Sequence, residues 1–250
     1  RFIQYLPQEK SYIGIIQLGI KTTTDDIHGE ILQRKDIPKI TFSDLDNSLN
    51  LFRGTFQQIP PQVSSVHING ERAYKKSWRK ENFILPSKEV KVELLILKDW
   101  DPVIGQLKIE INCSSGTYIR SIARDLGILL KSEGCLYDLR RIKASGFSED
   151  TSIDLESLTN KQNYKNKFII PIQDALGHLS KVRLTNEKDI LYWRTGRQIQ
   201  IKSKSLITNY KQYENDKFLV FDNKNKLLGI GMYARKDFDL LLPKLVLNAK

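Results

Sequence analysis

C-S-S-G-T-Y-I-R, from Cys113 to Arg120, is followed by A-R-D-L-G, from Ala123 to Gly127, and by L-R-R-I-K-A-S-G-F, from Leu139 to Phe147. The quoted stretch begins where an alternating run ends. Leu107, Ile109, Ile111 and Cys113 fall on one face of that run, which predicts a strand. Ser114, Ser115, Gly116 and Thr117 make a polar turn, after which Ile119, Ile122, Ala123, Leu126 and Leu130 recur at three- and four-residue steps. That spacing predicts an amphipathic helix with one buried side. Arg120 and Arg124 lie four apart near its start, where like charges repel each other and oppose the helix dipole, so an acidic partner is expected close by. Read alone, Tyr118 and Arg120 at this corner fit a packed structural turn as well as a functional site.

Outward from the corner, Val92, Leu94 and Ile96 alternate in the same way, and Asp101, Pro102 and Gly105 separate the two runs. A hairpin is the simplest account. Near the front, Tyr12, Gly14, Ile16, Leu18 and Ile20 share one parity, and Thr22 to Asp26 supply turn chemistry before Gly29 and a return strand near Ile31. The text turns polar between Ser148 and Ser180, and the run from Asn160 to Lys167 has no apolar period, which suits a surface excursion or linker. Beyond it, Thr185 is placed to cap a helix with Glu187 and Asp189 in its first turn that ends near Gly196, and short strands are predicted over Phe218 to Asp222 and Leu227 to Tyr233. Residues 181–250 are read as a small β-rich domain and residues 1–180 as a larger α+β one.

Forty Lys and Arg against 29 Asp and Glu leave a formal charge of +11, which makes a polyanion the first partner to consider. No run approaches the ~18 apolar residues of a spanning helix, so nucleic acid is favoured over membrane. Cys113 and Cys135 stand far apart, and with only His28, His67 and His178 beside them no zinc site can be argued. Low cysteine content suits a reducing cytoplasm. Residue 1 is Arg and the only methionine is Met232, so the gene product is expected to begin upstream.

The G-T-Y-I-R turn and the later L-R-R-x-x-x-G-x-F resemble the pseudouridine synthase B family. Two further segments agree with it in order and spacing: K-S-Y (Lys10 to Tyr12) leading into G-I-I-Q-L-G-I-K-T-T-T-D-D-I-H-G-E (Gly14 to Glu30), and F-R-G-T-F-Q-Q-I-P-P-Q-V-S-S-V-H-I-N-G-E-R-A-Y (Phe52 to Tyr74). Thr185 to Ile199 with Leu227 to Tyr233 resemble, more weakly, that family's C-terminal PUA-like RNA-binding module. Departures occur at Val63, Ser65 and His67, where the family has Tyr, Ala and Lys. The family's G-T-L-D-P segment, with its nucleophilic aspartate, appears nowhere in the 250 residues and is expected roughly fifteen to twenty residues before Arg1.

The resemblance implies a pseudouridine synthase fold, α+β with a mixed, mainly antiparallel sheet and flanking helices, followed by the PUA-like β domain. It implies isomerisation of the T-loop uridine at position 55 of tRNA, with no metal or organic cofactor and no obligatory protein partner, by a cytoplasmic monomer that binds the T arm. A chain lacking the aspartate segment is expected to be inactive. One alternative is a tRNA-binding or tRNA-folding protein without catalysis, and another is a synthase of the same chemistry acting on ribosomal or guide-directed RNA.

The chemistry assigns roles. A carboxylate that attacks must be ionised and aimed, and an Arg on a rigid turn does both, which makes Arg120 the candidate orienting residue. An aromatic ring is needed to hold a flipped uracil, and Tyr12 matches that family position while Tyr118 supports the same pocket. Asp25 and Asp26 are read as turn carboxylates bonded to local backbone. For RNA grip, His67, Arg72, Lys75, Lys76, Arg79 and Lys80 interleave with Tyr74 and Trp78, a mix suited to phosphates and exposed bases but also to a solvated loop. Arg140, Arg141 and Lys143 form a second basic cluster.

Overall fold

A computed structural model describes residues 1–159, 169–200, 216–235 and 239–247. The chain divides into two compact units, Pro7–Ser157 and a second made of Arg1–Leu6 with Leu158–Lys250. The first holds, in chain order, β1 (Lys10–Leu18), β2 (Ile20–Thr22), β3 (Ile31–Arg34), α1 (Phe42–Leu49), β4 (Gly54–Gln58), β5 (His67–Ile68), β6 (Glu71–Arg72), α2 (Ala73–Trp78), β7 (Lys88–Asp101), β8 (Gln106–Cys113), α3 (Ile119–Leu129), β9 (Gly134–Ala144) and β10 (Phe147–Ser148).

Six of these strands form one sheet in the order β10-β9-β1-β8-β7-β4, and every pairing in it is antiparallel. The alternation read from sequence sorts the faces of β1 and β8, but on β7 a register shift between Val92 and Leu94 turns Leu95 and Leu97 inward and leaves Leu94 and Ile96, expected on one face with Val92, exposed. Ile16 and Leu18 of β1, Leu107, Ile109 and Ile111 of β8, and Val92, Leu95 and Leu97 of β7 are buried against Leu45 and Leu49 of α1 and Ile119, Ile122, Ala123 and Leu126 of α3. Thr41 caps α1 by accepting the Asp44 N–H at 3.1 Å. The hairpin expected around Pro102 is β7–β8, closed by Gly105 N–H donating to Asp101 C=O at 2.9 Å. The return strand expected near Ile31 is β3, which pairs with β2 in a separate two-stranded sheet. Gly127 lets α3 rest directly on the start of β9, because a Cβ there would lie 2.2 Å from the Gly134 nitrogen.

The unit boundary lies within α4 (Leu155–Thr159), earlier than the expected division at residue 180. After α5 (Ile172–Ala175), Leu176 is 1% exposed among Leu219, Phe221, Ile230 and Leu245, with Phe2, Tyr5 and Leu6 packed on the same cluster, so residues before 180 serve the second core. The second unit continues with β11 (Ser180–Arg183), α6 (Glu187–Arg194), β12 (Ile199–Gln200), β13 (Lys217–Phe221), β14 (Leu227–Arg235) and β15 (Asp239–Val246). Its sheet runs β11-β13-β14-β15-β12, with β11 parallel to β13 and the other pairings antiparallel. Asn186, not Thr185, caps α6: it stands immediately before Glu187 and its side chain accepts the Lys188 N–H at 2.9 Å. The excursion expected over residues 160–167 lies outside the described residues.

Candidate active site

The corner between β8 and α3 is held by an amide that the sequence reading passed over. Gln58, at the end of β4, is 1% exposed; its side chain accepts the Tyr118 N–H at 2.8 Å and donates to the Tyr118 C=O at 3.1 Å. Tyr118 is the residue before the helix and has no side-chain cap of its own. Ser121 Oγ donates to the Ile59 C=O at 2.8 Å, so the Q-I-P-P segment is tied to the first turn of α3 at two points.

Arg120 leaves that first turn and meets a second loop. Its Nη1 donates to Asp26 Oδ2 at 3.0 Å and to the Thr24 C=O at 3.2 Å, while Nη2 donates to the Val63 C=O at 3.2 Å. Its side chain is 27% exposed. Among the described residues the Nε–H and one Nη2–H have no recorded partner, so two of the five guanidinium donors remain available. Asp26 is fixed in turn, with Oδ1 accepting the Thr24 hydroxyl at 2.7 Å and the His28 N–H at 3.1 Å. Arg124 repeats the arrangement one turn on, with Nη1 2.9 Å from Asp25 Oδ2 and Nη2 2.8 Å from the Ile59 C=O. The acidic partner expected for the two arginines is therefore the Asp25–Asp26 pair. Local bonding was the expected role of these carboxylates; Asp26 does bond locally, but both also make the ion pairs that the T-T-T-D-D context alone does not reveal. Burial pushes the Asp25 carboxyl above its ordinary value, against the pull of Arg124.

Thr24 and Val63, whose carbonyls hold Arg120, also line a cleft of about 540 Å³ with Leu32, Gln62, Trp78 and Phe83. Arg120 is thus bonded to two residues that line this cleft, although Arg120, Tyr12 and Tyr118 do not line it themselves. Tyr12 projects from β1 onto the core cluster containing Ile119 and Cys113. A register shift between Ser11 and Tyr12 makes β9 skip Ile142, which sets Arg141 opposite Tyr12. Burial and the nearby Cys113 raise the Tyr12 phenol above its ordinary value, partly offset by the positive charge of the Arg141 guanidinium.

The basic loop is less open than its composition suggests. His67 and Arg72 are paired across an Asn69–Gly70 turn whose φ values of 51° and 83° suit that dipeptide, and both are exposed. Lys75 and Lys80 are also exposed. Tyr74 is half-buried, edge-on to Trp78 with ring centroids 4.9 Å apart, and Trp78 is 73% exposed. Lys76 and Arg79, however, are taken up by Glu71 and Glu81. Arg79 donates twice to Glu71 at 2.8 Å and once to Glu81 at 2.6 Å, and Lys76 lies 3.0 Å from Glu81. Arg79 holds the Glu71 carboxyl down to about 2. Arg140 is likewise engaged by Glu149, while Lys143 is exposed and lines a shallow depression with Ser11, Glu110 and Asp150. Four basic groups expected as open phosphate contacts thus have partners within the protein: Lys76, Arg79 and Arg140 on carboxylates, and Arg72 on the Ser65 C=O at 2.9 Å. Carboxylates two to nine residues away were the sequence signal for the first three.

Among the described residues no group of three or more His, Cys, Asp or Glu side chains is placed to hold a metal ion, and no helix is long and apolar enough to cross a membrane.

Residues 1–119 match the TruB family pseudouridylate synthase model for its N-terminal domain. The tRNA pseudouridine synthase B of Prochlorococcus marinus strain MIT 9515 is 54% identical over 250 residues, spanning 100% of this chain and 82% of that protein. The protein of the same name from Synechococcus sp. strain CC9311 is 42% identical over 253 residues, spanning 100% and 81%. Among solved structures, a chain from the crystal structure of a Cbf5-Nop10-Gar1 complex superposes with a TM-score of 0.67 at 19% identity, covering 98% of this chain and 69% of that one. A chain from an H/ACA RNP bound to a substrate RNA containing 2'-deoxyuridine gives 0.64 at 16% identity, covering 98% and 68%. These last two bear on the fold alone, which is that of the pseudouridine synthases. With more than half of its residues identical to relatives that it spans over four-fifths of their length, the chain belongs to the tRNA pseudouridine synthase B family.

Proposed function

We propose that this protein isomerises the T-loop uridine at position 55 of tRNA to pseudouridine, acting in the cytoplasm as a monomer on the T arm. The observation that carries this reading is the Arg120 guanidinium, pinned by Asp26 and by the backbone carbonyls of two cleft-lining residues, Thr24 and Val63, with two donors still available. Two N–H groups on a fixed guanidinium are what a carboxylate needs to be held ionised and aimed. In this reading that carboxylate is an aspartate on the family's G-T-L-D-P segment upstream of Arg1. The reaction is balanced within the substrate. The bond from C1' of the ribose to N1 breaks, the base turns, C5 bonds to C1', and the proton displaced from C5 is matched by one gained at N1. Tyr12 holds the base from β1, and Tyr118 shapes the corner from which Arg120 projects. Residues 181–250, the PUA-like part, add a second RNA contact.

Tritium release from tRNA labelled at C5 of uracil tests the proposal. The full-length protein is expected to release tritium, and a chain of residues 1–250 to bind tRNA without release. Binding by the full-length protein with no release would favour a tRNA-binding or tRNA-folding role.

A further inference from the structure

Arg124 plays no part in the function proposed above, yet it is tied into the same loops as Arg120. Its three contacts reach Asp25 Oδ2 at 2.9 Å, the Ile59 C=O at 2.8 Å and its helix neighbour Asp125 at 2.8 Å. The groups that hold Arg120 belong to those same segments: Thr24 and Asp26 flank Asp25, and Val63 follows Ile59 across Pro60, Pro61 and Gln62. Arg124 therefore joins both acceptor-bearing segments to the helix that carries Arg120.

Asp25 is conformationally unusual. Its φ is +59°, the left-handed region that residues with a Cβ rarely occupy, and such a conformation persists only where neighbours over-determine it. Two do so here. The Leu136 N–H on β9 donates to the Asp25 C=O at 3.0 Å, and Arg124 holds the carboxylate from the other side. Side-chain exposures of 18% for Arg124 and 13% for Asp25 keep water from replacing the bond easily. Relaxation of residue 25 would move Thr24 and Asp26 together, and with them two of the three acceptors of Arg120.

We infer that Asp25 and Arg124 are a positioning pair that sets the place and direction of the Arg120 guanidinium, a role that rests on the function proposed above. The charged and titratable groups facing Asp25 are Arg124 and Arg120 from α3, Asp125 beside them, and the Cys135 thiol from β9. Among these the carboxyl is raised by burial, so its ionised form is not there for stability alone.

The test uses full-length protein carrying Asp25→Asn or Arg124→Lys. The guanidinium Nε resonance of Arg120, read by NMR without RNA, is expected to shift or broaden in both variants. Turnover should fall about tenfold to a hundredfold in kcat, with KM within about threefold, because misplacement of a catalytic group acts on the chemical step. The acid limb of kcat should also move to lower pH in Asp25→Asn, since protonation of residue 25 no longer weakens the pair. An unchanged Arg120 resonance in both folded variants overturns the pairing role, whether or not the enzyme turns over. An absence of tritium release from the unmodified protein instead overturns the function proposed above, while the resonance still judges the pair. Should Asp25→Asn fail to fold, Arg124→Lys keeps the charge and decides alone.

Discussion

Replacing Gln58 by alanine isolates the clamp on the Tyr118 backbone. The side chain is 1% exposed and makes two hydrogen bonds to one residue, at 2.8 and 3.1 Å. Each is worth about 1 kcal/mol net, and each backbone group left unpaired costs about 1–3 kcal/mol, part of which is recovered if water enters the vacated space. A loss of about 3 kcal/mol is expected, or roughly 6–12 °C in Tm for a domain of this size. Urea unfolding and a thermal scan measure it. Tritium release should fall further than the folded fraction does, because the corner that aims Arg120 loses its tie to β4. Gln58→Glu separates donor from acceptor. Its carboxylate can accept the N–H but donates to the C=O only when protonated, and burial against a carbonyl raises its folded pKa. The stability of that variant should therefore be greatest at low pH and decline as pH rises through the raised value. A cost under about 1 kcal/mol for Gln58→Ala, or a pH-independent deficit for Gln58→Glu, would refute the clamp.

Arg120→Ala in the full-length protein should lower kcat by about a hundredfold or more with tRNA affinity within about threefold; equal losses in both would remove its orienting role. Asp26→Asn should reproduce much of that loss, since one of Arg120's three acceptors is weakened, and kinetics alongside near-ultraviolet dichroism would check it. Removing Lys75 or Lys80 should reduce the slope of log affinity against log salt by up to about one unit each, whereas removing Lys76 or Arg79 should change it less; titration of tRNA binding over salt reads the difference. Asp25 ties stability to pH with a defined sign. Its folded pKa is raised, so the stability it contributes is present when it is protonated and is lost as pH rises through that value. The Tm of Asp25→Asn relative to the unmodified protein should accordingly improve from acidic to neutral pH.

The strands and helices were legible wherever one face is buried. Leu107, Ile109, Ile111 and Cys113 alternate because one side of β8 meets α1 and α3, and Ile119, Ile122 and Leu126 step by three and four for the complementary reason. Arg120 was legible through its motif, and its need for an acid through its place beside Arg124. The acid itself was not, because Asp25 and Asp26 lie 94 or more residues away in sequence and meet α3 only once the sheet has formed. Gln58 was hidden for a similar reason: a buried amide serving one backbone position leaves no periodic trace. The neutralised loop cations were readable in principle, since Glu71 and Glu81 bracket Lys76 and Arg79, but composition counts charges without pairing them.

The contact between Gly127 and Gly134 reaches further than the core it closes. A helix behaves as a stiff rod over this span, and Arg120 lies seven residues, about 10 Å, along its axis from Gly127. Any methyl at Gly127 must push against the Glu133–Gly134 backbone at 2.2–2.3 Å, so it would lift or pivot the rod at one end and carry the guanidinium with it at the other. The alignment of the Arg120–Asp26 bond is thus set partly by the missing side chain of a residue that touches neither partner.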